Sequence, residues 1–173
     1  MSNIKLKYIG VDRYITEQMG KIGLRFLRIS IGVIFTWFGV LKFFEGLSPA
    51  EDIAVNTISL ITFEVIDDKI ILIGLAVWET LIGIGLLFNI FMRATLLLLY
   101  LQMIGTFLPI FLFPGEVFIK IPYAPTLEGQ YIFKNFIIIG AGIVLGSKVG
   151  GARMKVDKPA SGTNDSDVAQ SNG

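Results

Sequence analysis

Residues Ala94–Phe113 read ATLLLLYLQMIGTFLPIFLF, a stretch without a single charged side chain. About 20 apolar residues carry a helix across the hydrocarbon of a bilayer, so this segment is long enough to span one. The same signal repeats on both sides of it. Ile70–Phe91 is a second such stretch, with one charge, Glu79, near its middle. Leu24–Phe44, LRFLRISIGVIFTWFGVLKFF, is another, but its uncharged core runs only from Ile29 to Leu41. Arg25, Arg28 and Lys42 must therefore snorkel or find partners. Tyr131–Gly146 completes the set and is interrupted by Lys134. The expected fold is all-α, an integral membrane four-helix bundle within residues 23–147. A cytoplasmic N-terminal segment, 1–22, precedes it. The tail, 148–173, is rich in Gly, Ser, Asn, Asp and Lys with nothing to bury, and is expected to be disordered.

Composition agrees with this reading. Hydrophobic residues make up 53% of the 173, the charged fraction is 17% and the mean hydropathy is +0.70. A soluble domain carries about a quarter charged residues, so the surplus apolar surface must face lipid. The chain has neither Cys nor His. That excludes disulfides, thiolate metal sites, iron–sulfur clusters and the commonest haem and zinc ligand. Any redox role has to use a borrowed cofactor or a partner subunit.

Basic residues orient the spans. Lys5, Lys7, Arg13, Lys21, Arg25 and Arg28 precede the first core; Arg93 lies in the second connection; Lys148, Arg153, Lys155 and Lys158 follow the last span. Those eleven share one side of a four-span protein, and Lys42, Lys69, Lys120 and Lys134 share the other. Both termini are therefore expected in the cytoplasm of a bacterium, with the protein multi-pass in its plasma (inner) membrane. The first apolar stretch begins late and lacks a clean small-residue cleavage site, which reads as a retained helix and not a signal peptide.

The long first outer connection, Glu45 to Lys69, contains a second kind of helix. Ser48-Pro49-Ala50-Glu51 has the pattern of a capping box with proline at the first helical position. Ala50, Ile53, Ala54, Ile58, Ile61 and Val65 then recur at helical spacing, with Glu51, Asp52, Asn56 and Ser59 largely opposite. This predicts an amphipathic helix on the outer membrane surface. It serves either as a plug over the bundle mouth or as a docking surface for a partner.

Ionisable groups at membrane depth cost about 2.5–3.5 kcal/mol each on insertion scales, so each asks for a reason. Arg25, Arg28, Gly32, Phe35, Gly39 and Lys42 fall on one helix face, where the glycines admit a close neighbour. Lys42 thus points towards protein, and Glu79 on the antiparallel second span is its natural partner. The pair either fixes helix register or serves a site. Thr95, Leu99, Gln102, Thr106 and Pro109 share a seam on the third span, with Thr106 at about the depth of Glu79. The fourth span opens with Glu128, Gly129 and Gln130, then Lys134 and Asn135; Asn135, Ile139, Gly142 and Gly146 form a smooth packing edge. The candidate site is an outward-facing polar cavity built from Lys42, Glu79, Gln102, Thr106, Glu128, Gln130, Lys134 and Asn135. Trp37, Trp78, Tyr100, Phe107 and Tyr131 are candidate walls, or else belong to interfacial belts and packing.

Three stretches carry a family resemblance. They are Leu27-Arg28 through Trp37-Phe38-Gly39-Val40-Leu41-Lys42-Phe43, then Trp78-Glu79-Thr80-Leu81-Ile82-Gly83, then Leu127-Glu128-Gly129-Gln130-Tyr131-Ile132-Phe133-Lys134-Asn135. In these the chain resembles the DoxX/DoxD-like family of small four-span bacterial membrane proteins, over about Gly23 to Gly146. Members of that family often carry Asp after the fourth-span Lys, where this chain has Asn135. Any carboxylate role there is lost or moved to Glu79 or Glu128. The resemblance implies a subunit of a quinone-linked oxidoreductase or an oxidative-stress system. On that reading the chain has no catalytic residue of its own, its borrowed cofactor is a quinone, and its partner is a redox enzyme subunit. A structural or assembly subunit and a small-solute permease are the competing expectations.

Overall fold

A computed structural model describes residues 3–44, 46–48 and 50–149, with side chains from Asp12 onward. The tail expected to be disordered lies outside the described residues from Gly150; Lys148 and Val149 close the last helix. The elements in chain order are α1 (Asn3–Leu41), α2 (Glu51–Ile61), α3 (Asp68–Phe88), α4 (Met92–Phe107), α5 (Pro109–Leu112), α6 (Pro114–Val117), β1 (Phe118–Lys120), β2 (Ala124–Pro125) and α7 (Leu127–Val149). Four stretches are long and apolar enough to cross a membrane: Asp12–Leu41, Asp68–Phe88, Met92–Leu112 and Leu127–Val149. Large apolar side chains such as Phe26, Trp37, Ile70, Leu97, Ile104 and Ile137 are exposed on their outer faces. That is the reverse of a soluble bundle, and it suits a lipid surround.

The bundle is all-α apart from one small hairpin. α1 packs along α3, α3 against α4, and α4 against α7, while α1 and α7 meet only slightly. Its core is a cluster of Ile31, Phe35, Ile82, Leu86, Leu96, Leu99, Met103, Ala141 and Leu145, drawn from all four long helices. One end, the turn end, holds the tight α3–α4 connection. Asn89 closes α3 with φ 59°, a left-handed conformation that Asn tolerates better than most residues. Gly85 leaves room there for the Thr95 side chain, which a Cβ would strike. The Thr95 hydroxyl donates to the Ile90 carbonyl at 3.0 Å, tying the turn to α4.

At the opposite end, the loop end, the third span runs to Leu112, as expected to within a residue, with Leu108 as a single turn residue between α4 and α5. Pro109 has no N–H and its ring crowds the preceding turn, so α4 stops at Phe107 and one short turn, α5, follows. A two-stranded antiparallel pairing of β1 with β2 then leads into α7. The sequence reading contained no strand here. Pro122 and Pro125, three positions apart, are the local signal for a chain that can no longer be helical.

The expected capping box is also corrected. Ala50, not Ser48, is the residue before α2; it lies at φ 57° and offers no side-chain cap. Glu51 turns back instead to accept from the Gly46 N–H at 3.3 Å. Pro49 falls outside the described residues. One face of α2, with Ile53, Val55 and Thr57, is buried against the bundle. Val55 packs with Ile71 and Leu72 of α3, and Ile53 with Val117 of α6 and Ile132 of α7. The reason is the early end of α1. Gly39, two residues before the end of α1, sits against Thr80 and Glu79, so α3 continues roughly 17 Å beyond that level, back to Asp68. α2 fills the space left above α1, as a plug.

α1 continues unbroken across residue 22, so the N-terminal segment from Asn3 and the first span form one helix of 39 residues.

Candidate functional site

The site begins where α1 crosses α3. A Cβ on Gly39 would come within 2.6 Å of the Thr80 hydroxyl, and one on Gly83 within 2.8 Å of the Thr36 Cα. No side chain fits between the two backbones, so these glycines set the separation. At the turn end, Arg28 donates to the carbonyls of Leu86 and Leu87, the latter at 3.1 Å, capping the C-terminus of α3. The stripe expected on α1 thus faces α3 from Arg28 to Lys42.

Beyond the crossing, Lys42 is buried and its Nζ donates to Glu79 Oε2 at 2.7 Å. The other carboxylate oxygen, Oε1, accepts from Gln102 Nε2 at 2.8 Å. A carboxylate on α3 is thereby held by a cation from α1 and an amide from α4. The pairing expected between Lys42 and Glu79 is present, and Gln102 joins it as a third member. Thr106 belongs to a separate contact. Its hydroxyl accepts from Asn135 Nδ2 at 3.1 Å and donates to the Met103 carbonyl at 2.9 Å, linking α4 to α7. Gln102 and Asn135 each spend one of two amide hydrogens in these bonds, so both keep a donor and their carbonyl oxygens in reserve.

Both contacts line one cavity of about 760 Å³. Ligand pockets fall at about 300–1,000 Å³, so its size suits a small organic molecule or part of a longer one. α2 roofs it through Ile53, Ala54, Thr57, Ile58 and Ile61. Its walls are mostly apolar: Ile34, Phe35 and Phe38 from α1, Leu75 and Trp78 from α3, Met103 from α4, Pro109 from α5, and Ile132 and Ile138 from α7.

Of the residues expected at the site, Lys42, Glu79, Gln102, Thr106, Glu128, Lys134 and Asn135 all line the cavity. Lys134 is at the exposed rim, its Nζ 5.2 Å from the centre of the Tyr131 ring. Gln130 is excluded: it is exposed and absent from the lining. Five positions at about 100° each place it about 140° around the helix from Asn135. Among the expected aromatic walls, Trp78 and Tyr131 line the cavity. Trp37 points outward at 66% exposure, Tyr100 packs on Gly142, and Phe107 stacks on Phe136 at 4.7 Å between centroids. The roof corresponds to the plug that was one of the two readings of the amphipathic stretch. Its apolar stripe was legible, but the choice between plug and docking surface was not.

No protein-family model, curated protein or solved structure matches this chain.

Proposed function

We propose that the chain is a DoxX-like membrane subunit whose cavity holds a quinone or a similar apolar ligand for a redox or oxidative-stress enzyme. It is placed in the bacterial plasma membrane with both termini cytoplasmic, which agrees with the eleven-to-four division of its basic residues. One observation carries the reading: an apolar cavity of about 760 Å³ has, in its otherwise greasy wall, amide and ammonium groups with donors to spare. A quinone fits that donor set, because its carbonyl oxygens accept hydrogen bonds while its ring and tail favour apolar walls. Gln102, Asn135 and Lys42 would hold the head, and Phe38, Trp78 and Ile138 would enclose it. The ligand would supply the electron-accepting chemistry; the protein binds it and keeps water away. Lys134, at the rim, favours a ligand that carries negative charge or lone pairs on that side.

A structural or assembly subunit is the second reading. It is favoured by Lys42, Glu79 and Gln102 satisfying one another, as interhelical polar contacts do when they only hold helices together. Purification from native membranes in mild detergent distinguishes the two. A bound quinone in the absorbance spectrum, together with a redox enzyme on affinity pull-down, supports the first. A clean spectrum and no such partner leaves the second.

A further inference from the structure

At the loop end the cavity is roofed by α2. α2 is fixed there from both sides, by Ile71 and Leu72 of α3 and by Val117 of α6 and Ile132 of α7. The flank between α1 and α7 is less enclosed. α1 and α7 are the one pair of sequence-terminal spans in the bundle, and they meet only slightly. The lining residues on their facing flanks are apolar and accessible: Ile34 is 47% exposed, Phe38 37% and Ile137 74%. These flanks belong to helices long and apolar enough to cross a membrane, so an opening between them faces acyl chains and not water.

We infer that the cavity is loaded sideways from within the bilayer, through the gap between α1 and α7, by a long-tailed amphiphile. Its head lies at Gln102 and Asn135, and its tail leaves past Ile34, Phe38 and Ile138. The inference deepens the ligand-site reading given above and rests on it. Three features converge on this class of ligand. The polar groups sit part-way along the cavity, with apolar lining on both sides of them, so a head alone would leave much of the space unfilled. Gln102 and Asn135 offer both donors and acceptors, which suits a head bearing carbonyl, hydroxyl or ester oxygens. A tail in the gap would replace contacts that α1 and α7 do not make with each other. A water-soluble molecule would gain nothing from such a portal and would have to cross lipid to reach it.

Loading is measured by native mass spectrometry of the full chain, after incubation in lipid nanodiscs with a long-tailed isoprenoid quinone or with the same head group lacking its tail. Ile34→Phe with Ile138→Phe narrows the gap, and Ile34→Ala with Ile138→Ala widens it; neither pair touches the polar groups. The expected result is that wild type takes up the tailed quinone and not the tail-less one. The narrowed pair should load roughly tenfold more slowly and the widened pair faster. Equal uptake of the tail-less head, or unchanged rates in both variant pairs, overturns lateral loading. Because the widened pair removes bulk, it keeps the test valid if the narrowed pair fails to fold. Should wild type refuse quinone but retain an acyl lipid with the same dependence on the gap, the route stands and the quinone reading falls. Uptake of quinone at one rate in every variant does the opposite. Retention of neither overturns both.

Discussion

Removing one partner of the Lys42–Glu79 pair isolates the strongest polar interaction in the bundle. The side chains of Lys42 and Glu79 are only 9% and 12% exposed, and their contact is 2.7 Å. Lys42→Met leaves Glu79 with the single amide of Gln102. Glu79→Gln leaves Lys42 with no counter-charge, although Gln102 can still bond to the new amide. Breaking a buried pair on one side costs about 3–5 kcal/mol, because the surviving charge is uncompensated. Replacing both sides removes that charge, and such double replacements are often neutral. Lys42→Met with Glu79→Gln should therefore cost less than either single change, a coupling of at least about 3 kcal/mol, at the upper end of the range for contacting residues. The Gln102 bond is a smaller quantity. Interhelical hydrogen bonds in membranes average about 0.6 kcal/mol by double-mutant cycles, so Gln102→Leu should cost about 1 kcal/mol or less. Reversible unfolding in mixed detergent micelles, followed by helical circular dichroism, measures all four variants. If the two single losses simply add in the double variant, the residues do not interact in the protein and the site description is wrong at its centre.

Other expectations are as direct. Gly83→Leu places a side chain where the Thr36 backbone lies and should abolish accumulation of folded protein. Gly74→Ala and Gly140→Ala, where no atom lies within 4 Å, should be neutral or gain a few tenths of a kcal/mol, as expression and thermal melting would register. Gln102→Leu should reduce retained ligand while Gln130→Leu should not, since only the first lines the cavity; equal loss from both, on extraction of the purified proteins, would remove the distinction. Reporter fusions after Gly173 and in the turn at Arg93 should read cytoplasmic, and those near Glu51 and Glu116 external. One fusion on the wrong side overturns the proposed orientation.

The four spans were legible from residue type alone, because transfer from water to lipid is decided by side-chain composition over about 20 residues. Lys42 and Glu79 were legible as partners for a related reason: an ion at that depth has few alternatives to protein, and helical spacing gave the face. The glycines on that face marked the contact with α3 before any packing was known. What the sequence left open depended on relative positions. Where α1 ends against α3 is decided by the crossing at Gly39 and Gly83, and that level makes room for α2. An apolar stripe such as Ile53, Ile58 and Ile61 satisfies a membrane surface and a bundle interior equally well, so only the tertiary arrangement could tell roof from surface helix. Gln130 and Asn135 differ in the same way. Both are amides near the start of one span, and the rotation of α7 against α4 places one in the cavity and the other outside it. Composition chose the solvent for each segment; the close approach of particular backbones chose which polar groups met.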